Sequence, residues 1–262
     1  LFGKNGPSYL DVQQGAAGDC WLLASLAEVA ARDPQDIQNM FAWAGTAVDQ
    51  NGTVNLYTVR FYNNKDVAQY VTVDAELPAG GATYDHPVNG IPWVALAEKA
   101  YAEANSLGFV TTQQAGKDAY NALNGGDPAW ALQAITGKST NDVAINPASI
   151  VTAWNKGELV VLASSSTPTS KSIVANHCYA MVNYTPAGQT ANTPYQLYNP
   201  WGTNSSGYAP GGMLGLFYAD SGFISQNFKS ESAGSGAAPE VGIKSHLAAE
   251  AATDLVLATW GI

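Results

Sequence analysis

The stretch QQGAAGDCWLLASLAEVA, residues 13–30, runs a glycine-bearing loop into an apolar helical pattern and places one of only two cysteines at the junction. Trp21, Leu22, Leu23, Leu26 and Val29 recur at helical spacing, Gly15 and Gly18 mark the loop, and Asp19 stands where a helix N-cap belongs. Cys20 therefore opens a helix. The unpaired N–H groups and the dipole at such an end favour negative charge and lower a thiol pKa, which suits a nucleophile. The same position suits a small buried hydrophobe, the commoner fate of a lone cysteine, so the rest of the chain has to decide.

Downstream, TVNLYTVRF (53–61) and QYVTVDAEL (69–77) alternate or are β-branched between Asn and Gly turns and predict a pair of hairpin strands. IPWVALAEKAYAEAN (91–105) reads as a helix, and short helices are expected at 119–123 and 128–135 on either side of the turn NGGD. From Leu159 the character changes: LVVLAS, HCYAMVNY, YQLYNPW and GMLGLFY are strand-like and separated by Gly, Ser, Thr and Pro stretches. A mainly helical part (1–145) thus precedes a β part (146–228). KSESAGSGAAPE (229–240) reads as a flexible linker, so 229–262 is expected to be linker and C-terminal tail of no assigned role.

Composition narrows the classes. With 262 residues and 46% hydrophobic content the chain can bury a sizeable core, as one large domain or two subdomains sharing a cleft. Its net charge of −10 with only 11 Lys and Arg would repel a phosphate backbone, so no nucleic-acid partner is expected. No apolar run reaches the roughly 18 residues of a membrane span. The chain opens LFGKNGPSYL, without Met or a basic leader, so no signal peptide is expected and a mature product or excised domain fits. Acidity and low lysine content lean towards a secreted setting, with a cytoplasmic one also open. Two cysteines do not make a disulfide scaffold, and three histidines without clustered partners make a zinc site improbable.

A nucleophilic thiol needs a base, and the base needs an orienting partner. His177 lies in the strand pattern VANHCYAMVNY and Asn199 at the end of the next, YQLYNPWG, so antiparallel pairing would bring them together. In a Cys-His-Asn arrangement the imidazole pairs with the thiolate while the Asn oxygen accepts the other ring N–H. Taken singly, His177 reads equally as a satisfied core or surface histidine and Asn199 as a turn residue before Pro200. Gln14, six residues before Cys20 on the entry loop, can offer its amide beside the Cys20 backbone N–H as an oxyanion hole. Cys178 follows His177 on a strand; side chains alternate there, so it is expected to point into the core as a buried free thiol, not to pair with Cys20.

The run GPSYLDVQQGAAGDCWLLASLAEVA resembles the active-site segment of calpain-type cysteine proteases. The resemblance continues in order through IPWVALAEKAYAEAN, NALNGGDPAWALQAITG, NHCYAMVNY and LYNPWG, covering about residues 1–220. It implies an α+β, papain-like fold of two subdomains: a helical one carrying Cys20, an antiparallel β one carrying His177 and Asn199, and the peptide cleft between them. It implies Cys20 as nucleophile, His177 as base, Asn199 as orienting amide and Gln14 as oxyanion donor. Trp201 matches the tryptophan that shields the Asn-His hydrogen bond, and Trp21 follows the nucleophile; both also read as ordinary packing aromatics.

The family's calcium loops are only partly matched. Gly6 and Asp11 fit the first and Lys4 offers a carbonyl, but Asn121 stands where the family has glutamate, and TNSSGYAPGG after the NPWG motif lacks the carboxylates of the second. A hard cation wants several charged oxygens, so weak calcium binding at most is expected and no cofactor is required. Asn176, where the family usually has glycine before the histidine, is expected to crowd that side of the site. No EF-hand pattern occurs, which fits a bacterial-type stand-alone or modular protease. The implied activity is endopeptidase action on protein or peptide substrates. A catalytically idle peptide- or partner-binding module and a transamidating enzyme are the alternatives, the second less favoured because Asn199 stands where such a triad carries Asp.

Overall fold

The computed structural model describes residues 1–50, 52–78, 83–185, 193–203 and 215–235. Helix α1 (Cys20–Arg32) starts at the cysteine and is buried almost all round, including Ser25 and Glu28, because it runs between the two halves of the molecule. On one side lie α2 (Pro34–Met40), a three-stranded antiparallel sheet of β1 (Phe41–Asp49), β2 (Gly52–Tyr62) and β3 (Ala68–Asp74), α3 (Trp93–Ser106) and α4 (Pro128–Thr136). The predicted hairpin is β2–β3, paired from Leu56↔Asp74 to Tyr62↔Ala68. Two elements here were not anticipated: α2, with Pro34 in its first turn, and β1, an edge strand whose Trp43 and Val48 are exposed.

On the other side lie β4 (Thr140–Ala144), α5 (Pro147–Asn155), β5 (Glu158–Ser164), β6 (Cys178–Tyr184), β7 (Tyr195–Tyr198), β8 (Leu216–Ala219), α6 (Ser221–Asn227) and β9 (Phe228–Ser235). They form a six-stranded antiparallel sheet ordered β4-β9-β5-β6-β7-β8. Alternation divides the apolar runs between two cores. Leu159 and Val161 of β5, and Cys178, Ala180 and Val182 of β6, face α1; Val160, Leu162, Tyr179 and Met181 face α5 and α6. That is why LVVLAS is apolar throughout: both sides of the sheet are covered.

The linker expectation fails over 229–235. Those residues form β9, inserted between β4 and β5, with Ser232 opposite both Asp142 and Val161. Its Ser, Gly and Ala look like linker chemistry because the strand packs by small side chains between two partners. β4, at the end of the expected helical part, also belongs to this sheet. Residues 236–262 lie outside the described residues, as does most of the loop expected to be the second calcium loop.

Candidate active site

The loop before α1 is strapped down on three sides. Gln14 N donates to Pro200 O (2.8 Å), Ala17 N to Thr83 O (2.8 Å) and Gly18 N to Asn124 Oδ1 (2.6 Å). Gly15 packs so closely against the Thr83–Tyr84 backbone that a Cβ would overlap it. Asp19 occupies the N-cap of α1 but its side chain does not cap the helix. It is fully buried, accepts from Gln14 Nε2 (3.2 Å) and faces the carboxyl of Glu98. Burial pushes its pKa up to about 7.

Cys20, in the first turn of α1, is half-buried and free. Two groups from the start of β6 meet its sulfur: the thiol of Cys178 and the imidazole of His177. Together they hold its pKa down at about 4, the Cys178 hydrogen bond contributing most, with burial opposing and His177 next.

His177 is buried and its backbone is clamped on Ser164, donating to Ser164 Oγ (2.9 Å) and accepting from Ser164 N (2.8 Å). Its Nε2 lies 2.9 Å from Asn199 Oδ1. The orientation of that amide is determined, because Oδ1 also accepts the Trp201 N–H (3.0 Å) and Nδ2 donates to Thr203 O (2.8 Å). Nε2 is therefore the donor, and Nδ1 is the nitrogen left for Cys20. Trp201 covers the pair, its ring centroid 4.8 Å from the imidazole.

Trp21 forms part of the cleft floor. It is buried, donates Nε1–H to Leu123 O (2.8 Å) and meets Tyr101 and Trp130 edge to face. The NGGD turn lies on it, and a Cβ on Gly126 would sit inside the indole. A cavity of about 320 Å³ opens above, lined among others by Cys20, His177, Asn176, Gly125 and Asp127.

Gln14 stands apart from the other candidates. Its Nε2 donates to Ala17 O (2.7 Å) and to Asp19 Oδ1, which occupies both amide hydrogens inside the loop. Asn176, which lines the cleft, adopts a left-handed φ of +51° with an exposed side chain, so the position needs a residue tolerant of that conformation, as asparagine is.

Cys178 is a buried free thiol as expected, but the core it points into is the face of the sheet that packs on α1, directly under Cys20. His177 lies between the turn at 175–176 and the first residue of β6, outside the strand's alternation, so both side chains face the Cys20 sulfur. Sequence reading also missed a buried acid group behind the nucleophile, Asp19, Asp85 and Glu98; in VALAEKAY the glutamate reads as a solvated helix face.

Of the residues matched to the first calcium loop, Asp11 alone brings a charged oxygen. Asp11 is buried and its Oδ2 already accepts Ser8 N (2.9 Å) and Trp93 Nε1 (2.8 Å). Lys4 and Asn121 are exposed, and Gly6 turns back on Gly3. Among the described residues no three His, Cys, Asp or Glu side chains are grouped to hold a metal.

Residues 1–208 match the family model described as calpain family cysteine protease. The calpain-1 catalytic subunit of Sus scrofa is 29% identical over 219 residues, and that of Homo sapiens 28%; each alignment covers 76% of this chain and 28% of the relative. Calpain clp-1 of Caenorhabditis elegans is 29% identical over 226 residues, covering 78% and 26%. The chain therefore spans little more than a quarter of the length of these relatives. It belongs to the calpain family of cysteine proteases.

Proposed function

We propose that the chain is an endopeptidase in which Cys20, His177 and Asn199 act as a triad. The observation that carries this reading is convergence: three residues far apart in sequence meet in one cleft, with the imidazole fixed by Asn199 on one side and facing the Cys20 sulfur on the other. The thiolate attacks the peptide carbonyl, and the C–N bond breaks as the His177 imidazolium protonates the leaving amine. The resulting thioester is hydrolysed by water that gives its proton to His177. Asn199 stabilises the imidazolium and keeps Nδ1 aimed at sulfur.

The oxyanion is stabilised by the Cys20 backbone N–H and by Gln14, whose amide exchanges one of its two loop acceptors for the developing charge. Gln14→Ala then lowers kcat by about 10²-fold with little change in KM. An unchanged kcat would remove Gln14 from the mechanism.

Activity requires no calcium on this reading. Bonds across the halves support it: Gln14 N to Pro200 O, Tyr198 Oη–H to Val12 O (2.8 Å), and Val160 N to Glu28 Oε1 (2.9 Å). Arg32 adds a cation–π contact, its guanidinium 3.5 Å from the Trp154 ring centroid. The test is labelling by an epoxide inhibitor of cysteine proteases, wild type against Cys20→Ala, in EDTA and in calcium. Labelling of wild type in EDTA with peptide cleavage is expected; labelling only in calcium would overturn the calcium-free part, and no labelling in either would overturn the triad.

A further inference from the structure

Cys178 is a second thiol whose sulfur forms no bond in peptide hydrolysis. It is buried at the start of β6, opposite Ala163, and lines the same cavity as Cys20. Its thiol faces the Cys20 sulfur where α1 packs on β6. Both thiols are free. In peptide hydrolysis this second sulfur helps to hold the Cys20 thiolate but forms no bond to substrate, whereas oxidation chemistry would bond it: a sulfenic acid is resolved to a disulfide only by a thiol already within reach.

We propose that Cys20 and Cys178 form an oxidation site for hydroperoxides, in which Cys178 resolves oxidised Cys20 to a reversible disulfide that shuts the protease and spares the nucleophile. The inference rests on Cys20 being the ionised nucleophile of the triad. In the first step the Cys20 thiolate attacks one peroxide oxygen; an S–O bond forms, the O–O bond breaks, and the departing alkoxide or hydroxide takes the His177 imidazolium proton. In the second step Cys178 gives its proton to the neutral imidazole as its sulfur attacks Cys20. The S–S bond forms, the S–O bond breaks, and the departing hydroxide takes that proton as water. The sum is two thiols and one hydroperoxide giving one disulfide, one alcohol or water, and one further water.

The order of events follows from the site. Before oxidation the Cys178 proton is held by the Cys20 sulfur and by burial, which together raise its pKa, so Cys20 reacts first. Once Cys20 is a neutral sulfenic acid, the charge that held the Cys178 proton is gone and His177 is free to accept it.

The test treats the reduced full chain with stoichiometric hydrogen peroxide, quenches it with a maleimide under denaturing conditions, and maps peptides without reduction. The expected result is a product lighter by two thiol hydrogens, with the segments around residues 20 and 178 linked, no maleimide taken up, and cleavage activity lost in step and restored by dithiothreitol. In Cys178→Ser, Cys20 should instead accumulate as a dione-trappable sulfenic acid and then as sulfinic acid that dithiothreitol does not rescue. Sulfinic acid at Cys20 of wild type with Cys178 still open to maleimide would overturn the proposal, as would equal recovery of Cys178→Ser. The linkage is read by mass alone, so failure of the triad reading appears separately, as reduced protein that neither cleaves peptide nor takes an epoxide at Cys20.

Discussion

Replacing Cys178 by alanine should move the ionisation of Cys20 upwards. The hydrogen bond from the Cys178 thiol is the largest influence holding the Cys20 pKa at about 4, and burial works against it. Hydrogen bonds to charged acceptors contribute about 1.5–3 kcal/mol. A thiol is a weak donor, so the lower end applies, and at about 1.4 kcal/mol per pKa unit the loss is worth about one unit. His177 still faces the sulfur, so the thiolate is weakened without being abolished. The reactive form exists above the pKa, so the acid limb shifts to higher pH: the variant loses most below about pH 5 and matches wild type near neutrality. The assay is the rate of Cys20 alkylation by iodoacetamide against pH, with the modified site identified by mass. Wild type is read at Cys20 by peptide mapping; in the variant Cys20 is the sole cysteine. Cys178→Ser, which keeps a donor, should leave the limb near or below its wild-type position. An acid limb that stays in place in Cys178→Ala, or moves to lower pH, would refute the assignment of Cys178 as donor.

Asn199→Ala removes the acceptor that fixes His177 Nε2 and the Trp201 N–H, and should lower kcat about 10²-fold with KM little changed in steady-state peptide hydrolysis. Gly126→Ala forces a methyl group into the Trp21 indole, and should cost about 1–3 kcal/mol in urea unfolding, with the tryptophan fluorescence of the folded state altered. Glu28 is fully buried, and burial, outweighing the Val160 amide and Arg32, raises its pKa to about 8 from the ordinary 4.5. The folded state therefore holds its proton more tightly than the unfolded chain, and the stability this gives is present below pH 4.5 and lost as pH rises towards 8. Glu28→Gln should flatten the fall in urea midpoint across that window, an effect on the order of a few kcal/mol, and an unchanged slope would show that Glu28 is already ionised.

How much of this was legible in the sequence depends on the distance over which each signal acts. The start of α1 at Cys20, the β2–β3 hairpin, α3, α4 and strands β5 to β8 follow from local periodicity and turn chemistry, which depend on the residues themselves. β1 and β9 were hidden because their side chains are small or half-exposed and their stability comes from partners: β9 from β4 and β5, whose nearest paired residues are far from it in sequence. The triad was legible as a set of residue types, and its convergence needed only antiparallel pairing of β6 with β7.

The acids behind the nucleophile were not legible, although they bear directly on it. A carboxylate at the N-cap of α1, adjacent in sequence to Cys20, would oppose the thiolate that the helix end favours. In isolation GDC therefore argues against an acidic thiol. Burial reverses that: Asp19, Asp85 and Glu98 are all fully buried and all have raised pKa values, about 7 for Asp19 and about 8 for Asp85. Glu98, raised well above its ordinary range, faces Asp19, and one proton between the two carboxyls removes a negative charge from behind the nucleophile. The charge on that group is reduced by burial, while the Cys20 sulfur, nearer the cleft and met by Cys178 and His177, ionises about three units below Asp19. The order of the two ionisations lets an acidic residue sit next to a thiolate, and it is set by how deep each group lies and what faces it, which a string of residues does not display.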